Sequence, residues 1–158
     1  MKKLLFALIA IVAIACNKKE NTESTQIATP VDFATQNEAD IKKYISDHKL
    51  NAQKTESGLY YVINEPGTGK QPTETDNVTV AYKGSFLNGE VFDQSSEEGI
   101  SFGLNQVIPG WTEGIPLLKE GGSGLLLIPS KLGYGDADNF KIPGGSVLVF
   151  EVKLLKVN

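Results

Sequence analysis

The stretch VTVAYKGSFLNGEVFDQS, residues 78–95, decides the fold of this chain. Large apolar residues recur at every second position from Val78 to Tyr82, a period that predicts a half-buried β-strand. Asn88-Gly89 follows between two apolar pairs, and both residues tolerate a positive φ, so we expect a type I′ turn there. The stretch therefore predicts an antiparallel β-hairpin.

The part of the chain after residue 58 carries further strand signals and one helix signal outside this hairpin. Apolar runs at residues 59–63, 125–128 and 147–155 predict three more strands. Trp111, Ile115 and Leu118 share one face of a predicted helix that begins after a Pro-Gly pair. Pro116 lies inside that helix, so we expect it to be short or kinked.

Composition excludes several classes of function. The chain has 158 residues, a net charge of −4 and 15 basic residues, all of them Lys. Without basic excess or guanidinium groups, nucleic acid is not an expected partner. A single His and a single Cys exclude a zinc site built from these residues and an intrachain disulfide. We expect no metal and no cofactor.

The N-terminus has the pattern of an export signal. Lys2 and Lys3 precede an apolar run over residues 4–15, which is shorter than the ~20 residues that span a bilayer. Ala13-Ile14-Ala15-Cys16 resembles the lipobox of bacterial lipoproteins, so we expect residues 1–15 to be removed and Cys16 to be acylated, for example with palmitate. More than one acyl chain gives a stable anchor. The alternative is an ordinary signal peptide with an incidental Cys.

These signals predict a bacterial envelope protein that is anchored to a membrane and faces the periplasm or the cell exterior. Residues 16–34 are polar and lack apolar periodicity, which is typical of a flexible tether. Residues 35–50 are predicted to be a helix that starts with a capping box at Thr35 and Glu38.

One face of this predicted helix is apolar. It is formed by Ile41, Tyr44, Ile45 and His48. We expect it to pack on the following domain, with His48 as a packed or rim residue. A dimerising arm is the alternative, but four turns without sustained heptads give it little support, so we expect a monomer.

A hundred residues carry an ordered set of motifs. The motifs are VTVAYxG at 78–84, NGxxFDxS at 88–95, VIPGW at 107–111, GG at 121–122, IP at 128–129, LGYG at 132–135, IP at 142–143 and LVFEVxLL at 148–155. In this order they resemble FK506-binding-type (FKBP) peptidyl-prolyl cis-trans isomerases. The resemblance runs from about residue 58 to 158, and the domain is placed at 51–158.

The resemblance implies an α+β fold, in which a five- to six-stranded antiparallel sheet wraps around one short helix. The N-terminal helix precedes it. An apolar pocket is implied between sheet and helix, and it could take Pro-containing polypeptides or FK506-like macrolides.

The resemblance also assigns the site residues. The group implied to act on the prolyl bond is Tyr82, Phe92, Asp93, Ile108 and Tyr134. The group implied to bind substrate is Phe102, Val107, Trp111, Ile142 and Phe150. Trp111 is expected to form the floor, Ile108 to offer its backbone N–H, and Asp93 and the Tyr134 hydroxyl to lie at the rim. In a chain without these ordered motifs, aromatic and branched residues at alternate strand positions would be interpreted as core residues.

The chemistry fits a chain without nucleophile, metal or cofactor. The barrier to rotating a prolyl amide is ~18–20 kcal/mol and comes from resonance. A site lowers it by desolvating the amide and binding the twisted form better than the planar ones. The expected activity is isomerisation of Xaa-Pro bonds during the folding of exported proteins.

Two departures from the family pattern bear on specificity. Ile100 stands where the family commonly has an aromatic residue, and the loop at 136–141 carries Asp136, Asp138 and Phe140 instead of a histidine. We expect that loop to overhang the pocket. These departures leave open a non-catalytic peptide-binding module or chaperone. A structural lipoprotein that uses the 35–50 helix as a contact surface is a third hypothesis.

Overall fold

The computed structural model describes residues 32–158. It contains two α-helices and seven strands. The helices are α1 (Phe33–Asp47) and α2 (Pro109–Gly114), and the strands are β1 (Gln53–Lys54), β2 (Tyr60–Glu65), β3 (Asn77–Phe86), β4 (Val91–Gln94), β5 (Ile100–Gly103), β6 (Ser123–Ile128) and β7 (Leu148–Val157). Three short 3-10 turns lie at Leu104–Gln106, Ile115–Leu117 and Ser130–Leu132.

All seven strands belong to one antiparallel sheet. Six of them follow the order β1-β2-β6-β7-β3-β4. β5 pairs with the first half of β3, next to β4 on the second half. The expected α+β fold is confirmed, with seven strands in place of five or six. β1 is only two exposed, polar residues long, so no alternation marks it.

The β3–β4 hairpin forms where expected, but its turn is not type I′. Gly89 has a φ of 86°, whereas Asn88 is not among the residues with positive φ. The Gly89 N–H donates to the Phe86 carbonyl at 2.9 Å, and Asn88 Oδ1 accepts from the Glu90 N–H. The turn is therefore closed across Phe86–Gly89, and only the glycine takes the left-handed conformation.

Helix α1 begins two residues earlier than the sequence predicted. Asp32 is the N-cap, and its carboxylate accepts a hydrogen bond from the Thr35 N–H at 3.3 Å. The capping box is therefore wrong, because Thr35 lies inside the first turn and donates to the cap. Residues 33 and 34 belong to the helix and not to a tether.

The sheet buries apolar side chains on both faces. On the concave face, α2 and the following 3-10 turn bury Trp111, Ile115 and Leu118, as expected, and Pro116 ends the α-helix early. On the opposite face, Ile41 of α1 is fully buried in a cluster with Tyr60, Leu127, Val147 and Val149. The apolar face of α1 thus packs on its own domain, while His48 is exposed at the rim and stacks on Tyr44 at 3.9 Å.

No helix within residues 32–158 is long and apolar enough to cross a membrane. The predicted signal peptide, the acylated Cys16 and most of the predicted tether lie outside the described residues.

Candidate active site

A β-bulge directs two consecutive side chains to the concave face of the sheet. Ser85 pairs with Val91 and Gly84 with Asp93, so Phe92 is an extra residue in β4. In regular pairing, neighbouring residues would point to opposite faces. Here the Phe92 ring lies over Gly84, and Asp93 reaches the Tyr82 hydroxyl.

Trp111, in the first turn of α2, is the centre of an aromatic cluster. Its ring meets those of Tyr82 and Phe150 edge-on, with centroids 4.9 and 5.1 Å apart, and that of Phe102 at 5.2 Å. Only 5% of Trp111 is exposed. Among residues 32–158, its indole N–H is the one buried side-chain polar atom without a hydrogen-bond partner. The cluster therefore makes an apolar floor.

A cavity of about 460 Å³ opens above this floor. Its wall contains eight of the ten residues assigned from the sequence. These are Tyr82, Asp93, Phe102, Val107, Ile108, Trp111, Tyr134 and Phe150. The fold thus brings these eight residues together from β3, β4, β5, α2, β7 and the segment after β6.

The other two assigned residues lie outside the cavity wall. Phe92 packs against Phe86 and Phe150, with ring centroids 5.0 and 5.5 Å apart. Ile142 is buried in the concave-face core. Phe92 thus supports the lining residue Phe150 from behind.

The backbone N–H of Ile108 is placed for an external acceptor. Ile108 is the residue before α2, and its carbonyl accepts from the N–H groups of Trp111 and Thr112. Within the described chain, no hydrogen bond uses its own N–H. A donor at the cavity wall is therefore available to a bound carbonyl.

Two tyrosines and one carboxylate form the polar rim. The Tyr82 hydroxyl donates to Asp93 Oδ2 at 2.6 Å, and burial together with this carboxylate holds the pKa of Tyr82 well above its ordinary value. Burial and the Asp93 charge also raise the pKa of Tyr134, although 42% of that residue is exposed. Both hydroxyls are therefore neutral donors at physiological pH.

Sequence reasoning missed one lining residue and misplaced one loop. Gln106 lines the cavity directly before Val107, one residue outside the motif at 107–111. Ile100 lines it too, as the altered wall suggested, and is half exposed. The loop at 136–141 contributes nothing to the lining, so the expected overhang is wrong.

The two acidic residues of that loop make hydrogen bonds that stabilise the conformation of the loop. Asp136 accepts from the Ser130 hydroxyl at 2.9 Å, and Asp138 accepts from the Gly144 N–H at 2.8 Å. Phe140 is left fully exposed with a φ of 50°.

The cavity wall offers apolar surface, neutral donors and one carboxylate, that of Asp93. It contains no thiol, imidazole or amine. Within residues 32–158, no cluster of His, Cys, Asp and Glu is arranged to hold a metal ion. The arrangement can desolvate a bound segment and fix a carbonyl, which suits a change of conformation better than a bond-breaking reaction.

Two curated proteins are similar to this chain in sequence. A probable FKBP-type peptidyl-prolyl cis-trans isomerase FkpA of Neisseria meningitidis is 45% identical over 138 residues, covering 74% of this chain and 50% of the relative. FkpA of Escherichia coli K12 is 46% identical over 128 residues, covering 78% and 47%. The chain thus spans about half the length of the curated relatives it matches.

Solved structures share the fold. The crystal structure of FkpA from Escherichia coli superimposes with a TM-score of 0.71 at 42% identity, over 79% of this chain and 61% of that one. A peptidyl-prolyl cis-trans isomerase from Pseudomonas syringae gives 0.69 at 29% identity, over 82% and 98%.

The match to the family as a whole covers more than half of the chain. The family model described as FKBP-type peptidyl-prolyl cis-trans isomerase aligns with residues 68–155, which include all ten residues that line the cavity. The chain belongs to the FKBP-type peptidyl-prolyl cis-trans isomerase family.

Proposed function

We propose that this protein is an active peptidyl-prolyl cis-trans isomerase that works on Xaa-Pro bonds of exported polypeptides. The observation that carries the proposal is the aromatic cavity above Trp111, which has an unused backbone donor, Ile108 N–H, in its wall. Family membership and relatives at about 45% identity support it.

The proposed mechanism is desolvation combined with preferential binding of the twisted amide. Planar prolyl amides are stabilised by resonance that separates charge, and water favours that separation. The ring cluster of Trp111, Tyr82 and Phe150 would remove water from the bond and so favour the less polar twisted form. No covalent bond to the enzyme and no proton transfer is required.

The site residues would divide this work. Phe102, Val107, Trp111 and Phe150 would bind the proline ring and its neighbours, with Ile142 as support. Ile108 N–H would bind a substrate carbonyl and Tyr134 would add a donor at the rim. Asp93, held by Tyr82 and backed by Phe92, would face the amide with its carboxylate.

A protease-coupled or NMR isomerisation assay on a prolyl peptide tests the proposal. We expect the full chain to accelerate isomerisation, and the double variant Asp93→Val/Tyr134→Phe to lose most of that gain. The exposed variant Lys43→Ala, on α1, serves as the control and should keep wild-type activity.

Two outcomes would contradict the proposal. One is a wild-type chain without any rate gain, and the other is a gain that the double variant retains in full. Saturable peptide binding without rate gain would favour the non-catalytic binding module instead.

We further propose that the chain is attached to a bacterial envelope membrane by acylation of Cys16. The signal at residues 2–16 and the polar stretch that follows support this. The test is metabolic labelling with a palmitate analogue and detergent partitioning of wild type and Cys16→Ser. We expect label and membrane association in the wild type only; equal partitioning of both would overturn the proposal.

A further inference from the structure

The segment that carries Tyr134 is a long loop between two central strands. This site loop, residues 130–145, connects the end of β6 to the start of β7. Its two ends are joined through Gly135, whose N–H donates to the Ser130 carbonyl at 2.8 Å and whose carbonyl accepts from Gly145 at 3.0 Å. The position of Tyr134 at the cavity rim therefore depends on how these ends are held.

One side chain of α1 binds both ends of the site loop. Asn37 Nδ2 donates to the Gly145 carbonyl at 2.8 Å, and Asn37 Oδ1 accepts from the Ser130 N–H at 2.7 Å. Asn37 is only 2% exposed, so both bonds are shielded from water. A carboxamide is needed here, because a carboxylate could not donate to Gly145 and an alkyl group could make neither bond.

A second contact from α1 closes the same corner. Gly145 has a φ of 76°, and a Cβ at this position would collide with the Phe33 ring. Phe33 thus packs directly on the backbone that Asn37 holds. Both residues lie outside residues 68–155, the part that matches the family model.

We propose that Asn37 is a positioning residue for isomerisation, which orients Tyr134 by tying both ends of the site loop to α1. The inference rests on the proposed function. Asn37 touches no part of the cavity and acts only through the loop. Because Tyr134 would hold substrate in the ground and transition states alike, loosening it should raise KM and leave kcat nearly unchanged.

The experiment compares Asn37→Asp with wild type in the full chain. The variant is isosteric but cannot donate to Gly145. We expect KM for a prolyl peptide to rise about tenfold, the effect of losing one well-placed hydrogen bond, and amide signals of residues 133–136 to broaden in NMR spectra. Gln36→Glu, on the exposed neighbouring position, should change neither.

A double-variant cycle separates positioning from general stability. In a Tyr134→Phe background the hydroxyl is already absent, so Asn37→Asp should add little to KM. An equal KM increase in both backgrounds, or a lower melting temperature with unchanged KM, would overturn the inference.

Two further arms keep the test decisive. If Asn37→Asp does not fold, Phe33→Leu loosens the same corner without leaving a buried polar group unpaired, and it should raise KM by a smaller factor. If the wild type binds the peptide without accelerating its isomerisation, the proposed function fails, and the inference is then judged on the dissociation constant, which should rise as KM would. A wild type that neither binds nor isomerises the peptide overturns both.

Discussion

The Tyr82 hydroxyl and the Asp93 carboxylate are joined by a 2.6 Å hydrogen bond at the rim of the cavity. The bond exists because the bulge at Phe92 turns Asp93 toward the concave face. Burial and the carboxylate together favour the neutral phenol, so the pKa of Tyr82 lies above the ordinary value of 10.0.

This pKa predicts how the protein responds to alkaline pH. Because the folded-state pKa is raised, the stabilising effect is complete below about pH 10, where the unfolded chain also keeps its proton. It is lost as pH rises above 10, since only the unfolded chain then ionises. We expect the melting temperature to fall above pH 10 more steeply in wild type than in Tyr82→Phe, measured by circular dichroism.

Catalytic activity should not change in the pH range below this loss of stability. Between pH 7 and about 10 we expect kcat/KM to be flat, because Tyr82 stays neutral. Tyr82→Phe should lower it about three- to tenfold by removing one hydrogen bond from Asp93. A wild-type rate that falls in step with an ordinary tyrosine titration would contradict this assignment.

Gly84→Ala should damage the cavity. A Cβ there would come within 2.7 Å of Phe150 Cε1 and 2.8 Å of Phe92 Cε2, so both rings must shift. We expect a loss of about 1–3 kcal/mol in unfolding free energy from overpacking, and a lower kcat/KM because Phe150 lines the cavity. Urea denaturation and the isomerisation assay measure the two effects.

Gly89→Ala is the matched control for this change. Gly89 has a φ of 86° and open space around its Cβ position, so alanine costs about 1–2 kcal/mol of strain far from the rings. Its activity should equal that of the wild type. Full activity in Gly84→Ala would show that the rings tolerate the shift.

Ile100→Phe should change substrate preference. Ile100 is half exposed in the cavity wall, so a larger ring can extend the wall without displacing core residues. We expect kcat/KM to rise roughly tenfold for peptides with Leu or Phe before proline, the lower end of the effect of a small change in an apolar pocket, because Ile100 is half exposed. Peptides with Ala before proline report whether the gain is specific; a uniform change would not support a role in specificity.

Ile41→Ala should weaken the docking of α1. Ile41 is fully buried against the sheet, so the substitution should cost about 2–5 kcal/mol in unfolding free energy. Lys43→Ala, exposed on the same helix, should cost far less. The urea midpoint should not depend on protein concentration, since the apolar face of α1 is covered by its own domain. A midpoint that rises with concentration would favour the dimerising arm.

The ion pairs of Glu38 with Lys42 and Lys54 should make the stability of the protein depend on pH in the acid range. Hydrogen bonds from Lys42 and then Lys54 lower the pKa of Glu38 to about 2. Because the folded-state pKa is depressed, this stabilisation is present above about pH 4.5 and is lost as pH falls toward 2. Glu38→Gln should melt about 1–3 °C below wild type at pH 7, a small effect because the pair is exposed. The melting temperatures of the two proteins should become equal near pH 2.

Motif order carried most of the site assignment. The residues of the cavity are scattered over β3 to β7, yet seven of the ten stand in short motifs that the sequence displays. Periodicity alone would assign Phe102 and Phe150 to the core, and Phe150 does belong to it while Phe102 packs against it. What distinguishes them is the opening above Trp111, which only the arrangement of several elements creates.

Features without a local pattern could not be predicted. A bulge at Phe92 shifts pairing by one residue and leaves no mark in the alternation of β4. Asn37 looks like a solvated helix residue, because its partners are backbone groups of Ser130 and Gly145. The start of α1 differs from the prediction for another reason. Asp32 and Thr35 are both residue types that cap helices, and the cap is Asp32, three residues before Thr35.

The docking of α1 also constrains the order in which the chain can fold. The helix near the N-terminus packs on Val147 and Val149, and the hydrogen bond from Asn37 to Gly145 closes a separation of 108 residues. During synthesis α1 therefore precedes its partners, and it can dock only once β7 is available. Such long-range pairing is slow to form. The docked state of α1 therefore forms late in folding.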